Sequence, residues 1–178
     1  MSLTGATLFE VSWEVCNKVG GIYAVVSSKV LEAVETFGDN YYLLGPDMGN
    51  NAEFTETDDE CWGAISAALL AQNLHCRFGR WEIPGRPKVI LVKFKDRYNE
   101  GQLLHGLWSR FGVDSLSGGW DYVEPVMFST ACGEVIANAA KVLKNEESGS
   151  FLAHFHEWMC GAGLLYLKAN APEIATAF

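Results

Sequence analysis

The stretch TLFEVSWEVCNKVGGIYAVV, residues 7–26, passes from a strand pattern to a helix pattern at a pair of glycines. Its first part, residues 7–13, is mainly apolar and predicts a β-strand. After Gly20 and Gly21, apolar side chains recur at every fourth position, which predicts an amphipathic helix. A cation, Lys18, lies two residues before the glycine pair. A strand, a glycine turn and a helix in this order are typical of an α/β protein.

The rest of the chain continues this alternation. Further strands are predicted at 40–46, 74–83, 88–94, 150–158 and 172–178, and helices at 62–72, within 97–119, at 124–144 and from the 150–158 strand through Lys168. In the long helix, Pro125 suits the first helical position, with Glu124 before it. Alternating strands and helices predict βαβ units. The expected fold class is therefore α/β, with a doubly wound, mainly parallel sheet and helices on both faces.

Composition and charge narrow the function classes. The 178 residues suit one domain, and 49% of them are hydrophobic, as in globular proteins. A net charge of −9 without any Lys/Arg-rich run argues against nucleic acid and against an anionic membrane surface as partners. No apolar run approaches the roughly 18 residues that a membrane helix needs, and no signal peptide is recognisable.

The cysteines are odd in number and form no CxxC pair. They are Cys16, Cys61, Cys76, Cys132 and Cys160. Reduced thiols in a cytoplasmic protein are therefore expected rather than disulfides. Cys16 and Cys160 lie near the two candidate site segments, but neither has an obvious base beside it. Both are interpreted as small buried hydrophobic residues.

The segment Lys18-Val19-Gly20-Gly21 has the features of a phosphate-binding turn. In parallel sheets, ligands bind beyond the carboxyl ends of the strands. The glycines let the backbone approach a ligand closely, the following helix offers free N–H groups with a partial positive charge, and Lys18 adds a mobile cation. The segment matches neither GxGxxG nor the GK[ST] ending of a P-loop. A plain tight turn with a solvated lysine is an open alternative.

The stretch HFHEW, residues 154–158, is the second candidate. In a strand, His154 and His156 point to the same face, so a metal pair is one interpretation. No further ligand cluster accompanies them, and zinc takes three or four ligands. His156 can instead donate a hydrogen bond into a cleft, and burial of one or both histidines in the core is the third interpretation. Asp121 and Glu124 precede a predicted helix and favour its positive end.

Several stretches in register resemble one family. They are FEVSWEVCNKVGGIYAVV, GDNYYLLGP, FGRWEIPGRPKVILV and AHFHEWMCGAGLLYLK with the later PEIATAF. In order and spacing they are similar to the N-terminal part of the glycogen synthases of the animal and fungal type, over Leu8 to Phe178. The short loops and acidic balance suggest a bacterial member of that group.

The resemblance implies a retaining glucosyltransferase of the GT-B type, which moves glucose from a nucleotide-glucose donor to the non-reducing end of an α-1,4-glucan. Such enzymes have two Rossmann-like lobes that face each other across a cleft. Lys18, Gly20 and Gly21 then inherit contacts to the donor phosphates and sugar, where stabilising the charge of the leaving group aids catalysis. His156 inherits the position that faces the transferred sugar and is the expected catalytic-site residue.

The remaining residues and partners follow from the same resemblance. Asp121 and Glu124 lie near a segment that forms part of the acceptor cleft, although the residues around them differ from those of the family. Glu157 stands where the family has an acidic residue and is expected to have a structural role. Trp158 is expected to pack against neighbouring side chains. UDP-glucose or ADP-glucose and glycogen are the expected partners, and neither a metal nor another cofactor is expected. The residues that read the base mostly belong to the second lobe.

Members of this family are longer than 178 residues. Residues 1–178 are therefore interpreted as a single Rossmann-like N-terminal glycosyltransferase lobe, truncated at its C-terminus. The second lobe would hold most of the nucleotide site, a catalytic-region glutamate and basic residues that grip the donor phosphates. We expect the fragment to lack transferase activity alone. We also expect apolar surface and an unprotected sheet edge, which favour self-association.

Two other function classes compete. The α/β pattern alone suggests a nucleotide-binding oxidoreductase, but the chain lacks GxGxxG, and Gly45-Pro46 stands where an acidic residue would end the second strand. A non-catalytic carbohydrate-binding or assembly module is compatible with the tryptophan and tyrosine content. Donor hydrolysis or transfer by a full-length enzyme separates the first function from the others, and NAD binding would favour the oxidoreductase.

Overall fold

A seven-stranded sheet forms the centre of the computed structural model, which describes residues 5–144 and 149–178. The strands are β1 (Thr7–Val11), β2 (Tyr41–Pro46), β3 (Phe54–Glu56), β4 (Cys76–Trp81), β5 (Lys88–Val92), β6 (Phe151–Phe155) and β7 (Ala175–Ala177). The helices are α1 (Ile22–Phe37), α2 (Glu60–Ala71), α3 (Glu100–Phe111), α4 (Trp120–Leu143) and α5 (Gly161–Asn170). The predicted alternation of strands and helices is confirmed, with boundaries shifted by a few residues.

The sheet is mainly parallel, with the strand order β3-β4-β5-β2-β1-β6-β7. β1, β2, β5, β6 and β7 run in one direction, whereas β4 is antiparallel to both β3 and β5. The predicted α/β class is confirmed, in a Rossmann-like arrangement. The sequence pattern does not predict β3, because a three-residue edge strand inside an acidic stretch is too short to show alternation.

Successive residues of β1 face opposite sides of the sheet and meet two different cores. Phe9 and Val11 belong to the larger core, which also receives buried side chains from α2, α3, α4 and α5. Glu10 points to the other side, where α1 packs over a smaller core through Val26 and Val30. Helices therefore cover both faces, as predicted. The single carboxylate of β1 lies on the side of α1.

The long helix α4 begins earlier than the sequence predicts. Its first residue is Trp120, so Pro125 lies inside the helix, and the prediction that Pro125 occupies the first position is wrong. A proline at this place costs one hydrogen bond, to the carbonyl four residues before it. The loss falls near the start of a 24-residue helix that is otherwise well buried. Asp121 and Glu124 therefore lie within the helix rather than before it.

α4 is also long and apolar enough to cross a membrane by length and composition. The sequence shows no continuous apolar run here because charged residues such as Glu134 interrupt it. Most of the helix is buried inside the protein, where it packs closely against α5. A Cβ atom on Gly163 of α5 would lie only 2.3 Å from the carbonyl oxygen of Ser129 in α4. The apolar character of α4 is that of a core helix.

The cysteines behave as expected from the sequence. All five are free thiols, and Cys16, Cys132 and Cys160 are buried. Burial raises the pKa of the Cys160 thiol to about 12 and also raises the pKa of Cys16. Both side chains near the candidate site are therefore protonated at neutral pH and act as small hydrophobic groups.

Candidate functional site

The two stretches singled out in the sequence lie side by side at the carboxyl edge of the parallel strands. We term residues 12–21, which join β1 to α1, the glycine loop, and residues 156–160, which join β6 to α5, the histidine junction. β1 and β6 are neighbours in the sheet, and the backbone N–H of His156 donates to the carbonyl of Val11 at 3.0 Å. The fold therefore brings Lys18 and His156 to the same edge, where open parallel sheets bind ligands.

Buried side chains anchor the glycine loop to the core of the protein. Val15 and Cys16 enter the core on the α1 side, beside Trp81, and Cys16 turns the chain sharply with a φ of 53°. Glu53 ties the start of α1 to this base: it accepts the Tyr23 hydroxyl at 2.5 Å and the Trp81 indole N–H at 3.3 Å. Burial and the hydrogen bond to Glu53 raise the pKa of Tyr23 to about 12, so this donor stays protonated.

A carboxylate from the loop itself occupies part of the predicted phosphate site. Glu14 is buried, and its Oε2 accepts the backbone N–H of Gly20 at 2.7 Å and that of Tyr23 at 3.0 Å. The N–H groups at a helix N-terminus are the donors that would otherwise meet an anion. The N–H of Gly20 is thus already engaged, and an internal anion holds the loop in shape.

The outer side of the glycine loop remains open to a ligand. Lys18 is exposed, with its Nζ 5.0 Å from the centre of the Tyr23 ring. Within residues 5–144 and 149–178, no protein group accepts a hydrogen bond from the N–H of Gly21 or Ile22. A phosphate can therefore meet Lys18 and these two amides while Glu14 keeps its place.

At the histidine junction, an imidazole lies against a buried carboxylate. His156 directly follows β6 and is 9% exposed, and its Nε2 lies 2.5 Å from Oε1 of Glu10. The next residue, Glu157, has an exposed side chain and a φ of 61°, and it turns the chain toward α5. The hydroxyl of Ser129 supports this turn by donating to the carbonyl of Cys160 at 2.5 Å. Glu10 thus holds the imidazole, and Ser129 holds the backbone that follows it.

Glu10 is the centre of a buried polar cluster. Its Oε1 lies 2.5 Å from Nζ of Lys29 as well as 2.5 Å from the imidazole of His156, and the Tyr41 hydroxyl donates to its Oε2. Burial raises the pKa of this carboxyl, but the hydrogen bonds of His156, Lys29 and Tyr41 and the charge of Lys29 lower it by more, so the net shift is downward. Glu10 is therefore ionised at neutral pH.

The same cluster has the composition of a metal site but not its geometry. Glu10, His154 and His156 offer three ligand atoms within 4.8 Å of one another. Glu10 is the third ligand that the two histidines lack in the sequence pattern. The Lys29 ammonium already lies among them, 2.5 Å from Glu10 and 3.4 Å from Nδ1 of His154. A Glu10–His156 separation of 2.5 Å is a hydrogen-bond length and too short for two ligands of one tetrahedral zinc. The arrangement does not fit a metal.

The start of α4 places an aromatic wall beside the histidine junction. The rings of Tyr122 and Trp158 stack with their planes 2° apart and their centres 6.3 Å apart, and Trp158 is 56% exposed. Of the two acidic candidates, Asp121 is exposed in the first turn of α4, whereas Glu124 is engaged by Lys95 at 2.8 Å. Asp121 is therefore the better placed of the two to meet a ligand.

Glu10 and Glu14 are site residues that no motif in the sequence predicts. One lies inside the apolar 7–13 segment and the other directly follows it. A charged residue in a buried strand requires a partner, so the pattern contains a signal for a buried polar site. It does not identify the partner, because His156 is 146 residues away from Glu10 in the chain.

Comparison with known proteins gives one consistent result. The family described as "Glycogen synthase" matches residues 10–178. The liver glycogen [starch] synthase of Rattus norvegicus is 35% identical over 177 residues, which cover 96% of this chain and 25% of the relative. The glycogen [starch] synthase of Dictyostelium discoideum is 31% identical, and isoform 2 of Saccharomyces cerevisiae is 29% identical. The Dictyostelium and Saccharomyces matches each cover 96% of this chain, but only 19% and 26% of the relative's own length. The chain therefore spans about a quarter of the length of these relatives, or less.

Proposed function

Since the chain belongs to the glycogen synthase family, we propose that it forms one lobe of a retaining glucosyltransferase. The reaction moves glucose from UDP-glucose or ADP-glucose to the non-reducing end of an α-1,4-glucan such as glycogen. The rest of the enzyme supplies a second lobe, which holds most of the nucleotide contacts. In this proposal, Lys18 and the glycine loop bind the donor phosphates, and His156 contacts the transferred sugar.

The observation that carries the proposal is the pairing of two different groups at one sheet edge. The glycine loop presents an exposed cation and open backbone amides, and the next strand ends at the imidazole of His156. A nucleotide sugar has a charged diphosphate and a neutral sugar joined by one bond. The diphosphate needs a cation and backbone N–H donors, and the sugar needs a neutral hydrogen-bonding side chain such as an imidazole.

The glycine loop is suited to the leaving group of the reaction. Negative charge grows on the diphosphate as the bond to the sugar breaks, and preorganised donors lower the barrier because they need no rearrangement. Glu14 supplies this preorganisation by holding Gly20 and Tyr23. Lys18, with the amides of Gly21 and Ile22, then contacts the phosphate oxygens.

We propose that the glucan acceptor lies along the start of α4. Sugar rings present apolar faces that pack against aromatic side chains, and the exposed Trp158 with the stacked Tyr122 provides such a surface. Asp121 stands beside Tyr122 and can accept a hydroxyl hydrogen bond. Weaker binding of maltoheptaose to a Trp158→Ala chain, measured by calorimetry, would support this placement; equal binding would contradict it.

The transfer needs neither a metal nor another cofactor in this proposal. The charge of the leaving group is met by Lys18 and by basic residues of the second lobe. The cluster around Glu10 already contains its cation in Lys29. Transfer that continues unchanged in excess EDTA agrees with this view, and loss of transfer restored by a divalent cation would overturn it.

The proposal is tested by glucose transfer to glycogen by the full-length enzyme that carries this chain. UDP-glucose and ADP-glucose are compared in parallel for the wild type, Lys18→Ala and His156→Ala. We expect transfer to fall by about a hundredfold or more in each variant, which corresponds to about 2.7 kcal/mol of transition-state stabilisation. The donor that supports the faster wild-type reaction identifies the nucleotide.

Two matched variants serve as controls. Lys141→Ala removes an exposed lysine at the far end of α4, and His105→Ala removes an exposed histidine of α3. Both are expected to keep wild-type transfer. If Lys18→Ala and His156→Ala also keep it while folded, the two junctions are scaffold and the assignment fails.

We also propose that the 178-residue chain alone neither transfers glucose nor stays monomeric. Trp158 and the exposed Phe178 line an apolar cavity of 450 Å³ that also includes Leu107 and Val113. Contiguous apolar surface of this kind favours association. Sedimentation velocity provides the test, because a single monomeric species at all concentrations would contradict self-association.

A further inference from the structure

The contact between Glu10 and His156 determines where the imidazole carries its proton. Glu10 is ionised, and an ionised carboxylate only accepts hydrogen bonds. Its Oε1 lies 2.5 Å from Nε2 of His156, so the hydrogen between them belongs to Nε2. A neutral imidazole has one N–H and one lone-pair nitrogen, which leaves Nδ1 as an acceptor.

The Nδ1 atom of His156 is left open for a ligand. Among residues 5–144 and 149–178, no group forms a hydrogen bond to it, although His156 is only 9% exposed. The backbone N–H of the same residue is bound to Val11, so the ring stands at the strand end with its position fixed. A sugar hydroxyl can donate to Nδ1 in this tautomer.

The cluster is built to keep Glu10 in this role. Lys29 balances the buried charge through a 2.5 Å contact with Oε1, and the Tyr41 hydroxyl donates to Oε2. A buried carboxylate without such partners would take up a proton and become a donor itself. Lys29 also donates toward Nδ1 of His154 at 3.4 Å, which keeps the second histidine turned to the ammonium.

We propose that Glu10 is a positioning residue for the transfer reaction, which holds His156 as the Nε2–H tautomer so that Nδ1 accepts a hydroxyl hydrogen bond from the donor sugar. This inference rests on the proposed glucosyltransferase function. It assigns to Glu10, buried on the side of the sheet away from α4, a task that acts entirely through His156.

The tautomer can be measured without any assay of activity. Protonated and unprotonated imidazole nitrogens have well-separated ¹⁵N chemical shifts, and two-bond ¹H–¹⁵N spectra distinguish Nδ1 from Nε2. The chain has four histidines, so comparison with His156→Ala assigns the signal. At a pH at which the ¹⁵N shifts of His156 show a neutral ring, we expect the Nε2–H form. An Nδ1–H form in the wild type would overturn the proposal, even if no variant folded.

Two variants test the role of Glu10 itself. Glu10→Leu removes the acceptor at similar size, and we expect both tautomers of His156 to be populated. Glu35→Leu is the matched control, because it makes the same change at an exposed glutamate of α1 outside the Glu10 cluster and should keep the Nε2–H form. An unchanged tautomer in folded Glu10→Leu would contradict the proposal. So would stoichiometric Zn²⁺ binding that shifts the signals of both His154 and His156.

The full-length enzyme links the tautomer to the reaction. We expect Glu10→Leu to lower kcat for glucose transfer about tenfold, the effect of one hydrogen bond made to the reacting sugar. The control Glu35→Leu should leave kcat within about twofold. Wild-type kcat in a variant with mixed tautomers would overturn the positioning role. That outcome differs from failure of the proposed function, which the Lys18→Ala and His156→Ala variants report separately.

Discussion

The glycine loop and the histidine junction follow neighbouring strands, and a buried glutamate contacts each of them, but the two carboxylates do opposite things. Glu14 binds backbone amides of its own loop, at 2.7 and 3.0 Å, and so removes donors from the ligand site. Glu10 binds a side chain from another strand, His156 at 2.5 Å, and orients a group toward the ligand site. One shapes the backbone and the other sets a protonation state.

The difference follows from what each region must hold. A loop rich in glycine loses much conformational entropy on folding, so an internal anion that binds two amides favours a single loop shape. An imidazole at a strand end already has a fixed backbone, and only its proton position remains to be chosen. The two junctions should therefore respond differently to substitution.

The largest effect is expected at the support of the histidine junction, in Gly163→Ala. A Cβ atom there would lie 2.3 Å from the carbonyl of Ser129 and 2.7 Å from the Phe155 ring, so α5 must move away from α4. We expect a loss of about 3 kcal/mol in the free energy of unfolding, measured by urea denaturation. Gly106→Ala is the control, because nothing lies within 4 Å of that position and an alanine inside α3 should stabilise by up to about 1 kcal/mol.

Removal of the internal anion from the glycine loop comes next. Glu14→Ala leaves the N–H groups of Gly20 and Tyr23 without their acceptor, and we expect a loss of about 1–3 kcal/mol in the free energy of unfolding. Glu157→Ala removes an exposed glutamate of the histidine junction and should change stability by less than about 0.5 kcal/mol. Equal effects of the two substitutions in thermal and urea melts would erase the proposed distinction between the loops.

The adjacent glycines sharpen the same point. A Cβ atom on Gly20 would lie 3.0 Å from Oε1 of Glu14, whereas nothing lies within 4 Å of one on Gly21. We expect Gly20→Ala to weaken the Glu14 contacts and lose about 1 kcal/mol. Gly21 has helical φ and ψ, so Gly21→Ala should be neutral or stabilise by up to about 1 kcal/mol. Chemical denaturation of both variants measures the difference, and a more damaging Gly21→Ala would refute this account of the loop.

The smallest effect concerns the second histidine and the pH dependence of stability. Burial, the neighbouring His156 and the charge of Lys29 lower the pKa of His154. The unfolded chain therefore takes up this proton first, and stability falls as the pH drops below the ordinary imidazole value of about 6.5. His154→Gln should reduce the loss of stability between pH 7 and pH 5 by less than about 1 kcal/mol, since the side chain is partly exposed. An identical pH profile for both proteins would rule out this contribution.

Much of the fold follows from local patterns in the chain. The fourth-residue spacing of apolar side chains correctly predicts α1, and the apolar runs correctly predict the central strands. The start of α4 at Trp120 escapes this reasoning, because proline is common at a first helical position but is also tolerated a turn later when packing compensates for one lost hydrogen bond. β3 escapes it because pairing with β4, not its own pattern, makes it a strand.

The sequence by itself determined the kinds of group at the site: a lysine before two glycines at a strand-to-helix turn, and a histidine at another strand end. Only the tertiary structure decided which of these groups are free and which are engaged. Glu14 reaches Gly20 across a tight turn, and Glu10 reaches His156 because β1 and β6 are adjacent in the sheet. Hydrogen bonds act over about 3 Å, so their partners are fixed by strand order and side-chain direction, which no local pattern of residues contains.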